Sequence, residues 1–209
     1  MKTISAHRSG EYAAAAASAV EYLQDGGVVI IPTDTAYCLA ADATNEDAVN
    51  QIFSLKGRHD GRPLSVIAAD REQAQEIGEF SPIAVRLWEE FMPGPLTIVV
   101  PDKGVVSSRV TAGLGKIGIR MPGHPLPVLV AERFGRPFTA TSANRSGEPP
   151  AFSPDEFLQY VEEDFLPHAT LDAGQLPITP VSTVVEVTDS VTVLREGPIS
   201  EAQIKAVIG

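Results

Sequence analysis

Two short segments of this 209-residue chain carry residue types that together can hold an anion. Lys56-Gly57-Arg58, followed by Arg62, puts three fixed positive charges within seven residues, with a glycine and Pro63 to turn the chain. Such a cluster repels itself unless it is solvated or faces an anion, although cations just past a helix also complement its dipole. The second segment is Thr139-Ala140-Thr141-Ser142-Ala143-Asn144-Arg145-Ser146-Gly147. Its hydroxyls, amide and backbone N–H groups suit phosphate or ribose, and the same residue types can also satisfy their own turn. Thr33-Asp34-Thr35 follows the apolar run Val28-Val29-Ile30-Ile31 and Pro32. A loop at that end of a strand is where open α/β sheets bind ligands. Arg120 stands in the apolar run 117–121, where a charged side chain requires a partner.

The elements that must position these groups are legible from periodicity and punctuation. A helix is predicted over 10–25, stopped by Gly26-Gly27, and a buried strand over 28–31. Thr44 and Asp47 have capping-box spacing and open a helix through Leu55, so Lys56 and Arg58 sit at or beyond its C-terminus. Ser81-Pro82 starts a helix that Pro93-Gly94-Pro95 ends, and Ser153-Pro154-Asp155-Glu156 starts another. A further helix covers 125–134, and Ser200 caps a last short one. Strands are predicted over 64–69, 96–100, 117–121, 138–141, 183–187 and 191–194, the last two flanking a turn at 188–190. The acidic stretch Glu162-Glu163-Asp164 reads as a solvated helix end. Strands and helices mix without regular βα alternation, which predicts an α/β fold with a mixed sheet and helices packed around it.

Composition narrows the function classes. Apolar residues make up 44% of the chain, enough for a sizeable core, and one domain over 1–209 is expected. Cys38 is the single cysteine, so no intramolecular disulfide forms and a reducing compartment, the cytoplasm, is expected. No stretch reaches the roughly 18 apolar residues of a membrane span, and the N-terminus has no secretory pattern. The net charge is −11, with −9 carried by residues 146–209. That acidity disfavours tight, sequence-blind nucleic-acid binding but leaves room for a local basic pocket that takes a small anion. The four histidines lack metal-ligand spacing, and no Walker motif, dinucleotide fingerprint or G-x-S-x-G elbow is present.

The two motifs, with Pro32-Thr33-Asp34-Thr35, Pro93-Gly94-Pro95-Leu96-Thr97, Gly118-Ile119-Arg120-Met121-Pro122 and Ser182-Thr183-Val184-Val185, resemble the YrdC/Sua5 family from about residue 10 to about 200. The resemblance implies a YrdC-like twisted mixed β-sheet with surrounding helices and an open concave cleft. It also implies an L-threonylcarbamoyladenylate synthase, a nucleotidyltransferase that joins L-threonine, bicarbonate and ATP and releases pyrophosphate. The product would pass to a threonylcarbamoyl transferase acting on tRNA, with at most weak direct RNA contact by this chain. Carried over by position, ATP would meet Lys56, Arg58, Arg62, Thr141, Ser142, Asn144 and Arg195, with Lys56 and Arg58 nearest the chemistry. Threonine would meet Thr35, Arg120 and Ser182, Arg120 holding its carboxylate through a planar fork. Any Mg²⁺ would be held mainly by the ATP phosphates, with no metal site in the protein itself.

Three departures from the family pattern matter. Cys38 stands where P-T-(D/E)-T-x-Y-G-L has glycine, Ile67 stands where longer Sua5-type members carry a substrate-facing histidine, and the match is to the short type without an extra C-terminal domain. Relatives of the YciO type share the fold with weaker or unclear activity, but often lack the S-x-N half that this chain keeps. The rival readings are an RNA-binding or ribosome-associated module of the same fold, or a diverged relative using another carbamoyl-transfer substrate, as in larger hydrogenase-maturation proteins.

Overall fold

In the computed structural model, residues 1–57, 61–161 and 166–209 are described. Arg58 and the stretch Glu162-Glu163-Asp164 therefore lie outside the described residues. The chain runs β1 (Lys2–Ser5), α1 (Tyr12–Gln24), β2 (Val29–Ile31), β3 (Cys38–Ala40), α2 (Glu46–Leu55), β4 (Ser65–Ile67) and α3 (Arg71–Ile77). It continues through α4 (Pro82–Phe91), β5 (Leu96–Pro101), α5 (Ser108–Thr111), β6 (Lys116–Arg120), α6 (Pro125–Phe134), β7 (Phe138–Thr139) and β8 (Thr141–Ser142). The last part comprises α7 (Pro154–Leu158), β9 (Ala169–Asp172), β10 (Thr183–Val187), β11 (Val191–Arg195) and α8 (Glu201–Ile208).

The mixed α/β class holds, but the strands divide into two sheets. Among the described residues one has the order β1-β9-β2-β3-β8 and the other β11-β10-β5-β6-β4-β7. Both are mixed: β2 pairs parallel to β9 and antiparallel to β3, while β6 pairs parallel to β4 and antiparallel to β5. Alternation along each strand decides what lies where. On the first sheet, Val29, Ile31, Cys38 and Ala40 pack toward α1 and α6, where Ala15, Ala16 and Ala19 form the closely packed helix face. Ile30 and Leu39 point the other way, into the main core with Val66, Ile98, Ile119 and Val185. On the second sheet, Leu96, Ile98 and Val100 enter that core, leaving Thr97 and Val99 on the opposite face.

Several boundaries differ from the sequence expectation. The strand expected over 138–141 is two strands in two sheets: Thr139 pairs with Val66 and Thr141 with Leu39. Ala140 makes the step, donating its N–H to Ser65 O (2.7 Å) and accepting from Ser65 Oγ (3.0 Å). The helix expected to start at Thr44 is capped one residue later, by Asn45, whose side chain accepts from Asp47 N and Ala48 N. Thr44 instead donates its N–H and hydroxyl to Asp42 Oδ1. The hairpin β10–β11 and the caps at Ser81, Ser153 and Ser200 are as expected.

Candidate functional site

The face of the second sheet turned away from the core is the floor of a cleft of about 470 Å³, within the size range of small-molecule sites. Its side chains arise from strict alternation: Ser65 and Ile67 on β4, Lys116, Gly118 and Arg120 on β6, Thr97 and Val99 on β5, and Val184 and Glu186 on β10. Gly118 lies mid-floor. A methyl group there would stand 3.1 Å from Thr97 Cγ2 and 3.3 Å from Ser65 Cβ, so glycine keeps the floor low.

One wall is built by the two motifs. Lys56 ends α2 and Gly57 turns the chain with φ +57°, a conformation that suits glycine. Lys56 is only 3% exposed, and its ammonium donates to Ser142 O (2.6 Å), Asn144 O (3.1 Å) and Asn144 Oδ1 (2.7 Å). Ser142 Oγ also bonds Asn144 Oδ1 (2.7 Å), and Asn144 Nδ2 donates to Glu148 O. The segments 86 residues apart thus form one object, with Lys56 under the loop that presents Thr141, Ser142 and Asn144 to the cleft. Arg62 lines the same wall.

The opposite wall begins with Thr33-Asp34-Thr35. Thr33 Oγ1 donates to Ala36 O (2.6 Å) and accepts from the N–H groups of Thr35 (3.1 Å) and Ala36 (3.2 Å). With its one proton and both lone pairs engaged there, Thr33 has no capacity left, and the 3.1 Å contact between the two hydroxyls fixes no donor. Thr35 Oγ1 also accepts from Arg120 (3.0 Å) and lines the cleft. Arg120, 7% exposed, also donates to Gly94 O (3.1 Å) and pairs with Asp34. Burial pulls its pKa below the ordinary value, and the Asp34 carboxylate opposes that pull.

Ser182, 5% exposed, shares a 3.0 Å hydroxyl contact with Thr97. Arg195 bonds the Ser182 carbonyl through two nitrogens, at 3.1 and 2.8 Å, and reaches its hydroxyl at 3.2 Å. Partial burial lowers the pKa of Arg195 as well. Cys38 and Ile67 line the cleft between these groups; burial pushes the Cys38 thiol up to about 12 against the attraction of Arg120 and Lys56, which keeps it protonated. The structure brings Lys56, Arg62, Thr141, Ser142, Asn144, Arg195, Thr35, Arg120 and Ser182 to one cleft. Sequence reasoning missed the floor residues Thr97, Lys116 and Glu186. Strand alternation with Arg120 already put Lys116 on its face, and that was the signal available.

The Sua5/YciO/YrdC family model, described as Telomere recombination, matches residues 21–197. A threonylcarbamoyl-AMP synthase of Bacillus subtilis strain 168 is 41% identical over 198 residues, which cover 92% of this chain and 56% of that protein. P. abyssi Sua5 complexed with L-threonine is similar in structure, with a TM-score of 0.88 and 32% identity over 100% of this chain and 60% of that one. E. coli YciO matches with a TM-score of 0.84 and 25% identity over 95% of this chain and 97% of its own. The chain spans little more than half the length of the first two.

Proposed function

The chain belongs to the Sua5/YciO/YrdC family, and from that premise we propose that it forms L-threonylcarbamoyladenylate from L-threonine, bicarbonate and ATP. One observation carries the reading: a loop of hydroxyls and amides braced by a buried lysine faces Thr35, Arg120 and Ser182 across a single cleft. The relatives named above support it, one through its name and one through its bound L-threonine.

The chemistry asks for orientation more than for proton transfer. The threonine amine and bicarbonate condense to a carbamate with loss of water. A carbamate oxygen then attacks the α-phosphorus, and the bond to the β-phosphate breaks to release pyrophosphate. The remaining N–H of the Asn144 amide, which the Ser142 hydroxyl orients, and the loop N–H groups would hold phosphate oxygens, while Arg62 and Arg58 offset charge on the leaving group. Arg120 would hold the threonine carboxylate with the N–H groups it does not spend on Asp34, Thr35 and Gly94. Thr35, a hydroxyl that can donate as well as accept, suits the amine or hydroxyl of the amino acid. Mg²⁺ would be carried on the triphosphate, since this ion usually binds through one or two carboxylates and substrate phosphates. The product would go to a transferase acting on tRNA in the cytoplasm, and no helix of the described residues is long and apolar enough to cross a membrane.

A second reading is a YciO-like relative with another carbamoyl substrate, favoured by Cys38 in the cleft at the position of the family's glycine. Pyrophosphate release separates the two. Release that requires both L-threonine and bicarbonate is expected; release indifferent to threonine, or none while ATP binds, would discard the synthase.

A further inference from the structure

A carboxylate in a cleft that holds a polyphosphate has to be kept away from the phosphates, and the registers of the second sheet fix where this one stands. Ser65 pairs with Gly118, Gly118 with Val99, and Val99 with Glu186. These four residues form one row across the floor, so Glu186 is three strand spacings from Ser65, ~14 Å. Ser65 in turn bonds Ala140, at the root of the loop that presents Ser142 and Asn144. Glu186 therefore marks the end of the cleft opposite the anion-binding loop.

Glu186 is held firmly there. Its Oε1 accepts from Lys116 Nζ (2.8 Å) and Thr188 Oγ1 (3.2 Å). Among the described residues both bonds fall on that one oxygen, and the side chain, about a fifth exposed, lines the cleft. A carboxylate is an acceptor only, so its second oxygen is available to a donor on a ligand. Leu114 and Leu194, 61% and 55% exposed, line the same end and offer apolar surface to a base.

We propose that Glu186 reads the sugar of the bound nucleotide by accepting a hydrogen bond from its 2′-hydroxyl, with Lys116 and Thr188 positioning the carboxylate. Lys116 also cancels the charge that would otherwise repel the triphosphate. The proposal rests on the ATP reading above and adds a selectivity to it: ribonucleotide over deoxyribonucleotide.

The test is calorimetric titration of the intact chain with ATP and with 2′-deoxy-ATP, alongside pyrophosphate release. Wild type should bind ATP about 10- to 100-fold more tightly, the range of a hydrogen bond to a charged group. Glu186→Ala should bring the two affinities together. Glu186→Gln, which keeps the shape, should lower the ratio by about fivefold, the difference between a charged and a neutral acceptor. Equal wild-type affinities, a ratio unchanged in both variants, or an equal loss for both nucleotides would overturn the role in sugar reading. Discrimination without pyrophosphate release would leave this proposal standing and remove the synthase; failure of ATP to bind would remove both.

Discussion

At the scale of single residues, Lys56 couples stability to binding, because the ammonium that adds charge to the cleft also holds the carbonyls of Ser142 and Asn144. Lys56→Met keeps the apolar stem but leaves those acceptors without their donor in a buried site, at a cost of about 3 kcal/mol. In a chain of this size that corresponds to a melting temperature lower by about 6–12 °C. ATP affinity should fall with it, since the loop loses its brace. An unchanged melting curve would show that the loop stands without the lysine. The sequence made plain that Lys56 and Arg120 need partners. It did not reveal which partners, because Asn144 and Asp34 lie 88 and 86 residues away and only the fold brings them near. Lys116 and Glu186 stayed hidden for a related reason: an isolated charge in a strand reads as a solvent-facing position until the other side of the sheet is known.

Elements with strong local punctuation were legible. Proline at the first turn after a capping residue marks α4, α6 and α7, and all three begin where the sequence predicts. The strands β3 and β9 were not legible, since short segments such as Cys38–Ala40 and Ala169–Asp172 owe part of their pairing, to β8 and to β2, to residues more than 100 positions away. The cap of α6 makes a prediction at this scale. His124 Nδ1 accepts from Leu126 N (3.2 Å), which requires that nitrogen to be unprotonated. Burial lowers the pKa of His124 below its ordinary 6.5, with Asp34 pulling the other way. As the pH falls, the unfolded chain takes up this proton first. The contribution to stability is thus complete above about pH 6.5 and declines below it, until the folded state is protonated too. His124→Asn supplies a cap that does not titrate. Its urea midpoint should lose less than wild type between about pH 7.5 and pH 5.5. Parallel declines in the two proteins would assign the pH dependence to other groups.

For the whole molecule, the decisive feature is that two mixed sheets are joined beside the cleft. The mingling of strands and helices along the chain foretold the α/β class, and the charge left room for a local basic pocket, but neither showed the division into two sheets, which depends on the chain leaving one sheet for the other within 138–142. Thr139 belongs to one sheet, Thr141 to the other, and Ala140 alone lies between them. That arrangement has a consequence for evolutionary tolerance of length. Successive residues of a strand face opposite ways, so one added residue would turn Ser142 away from the cleft or pull Thr139 out of register. Insertion of a single glycine after Ala140 should therefore abolish ATP binding and lower the melting temperature. The same insertion after Gly104, where nothing lies within 4 Å of an added Cβ, should change neither. If both insertions are equally well borne, the junction has slack. If they differ as expected, loops on the outer surface are free to lengthen among relatives, while the step at Ala140 must keep its length wherever the cleft is kept.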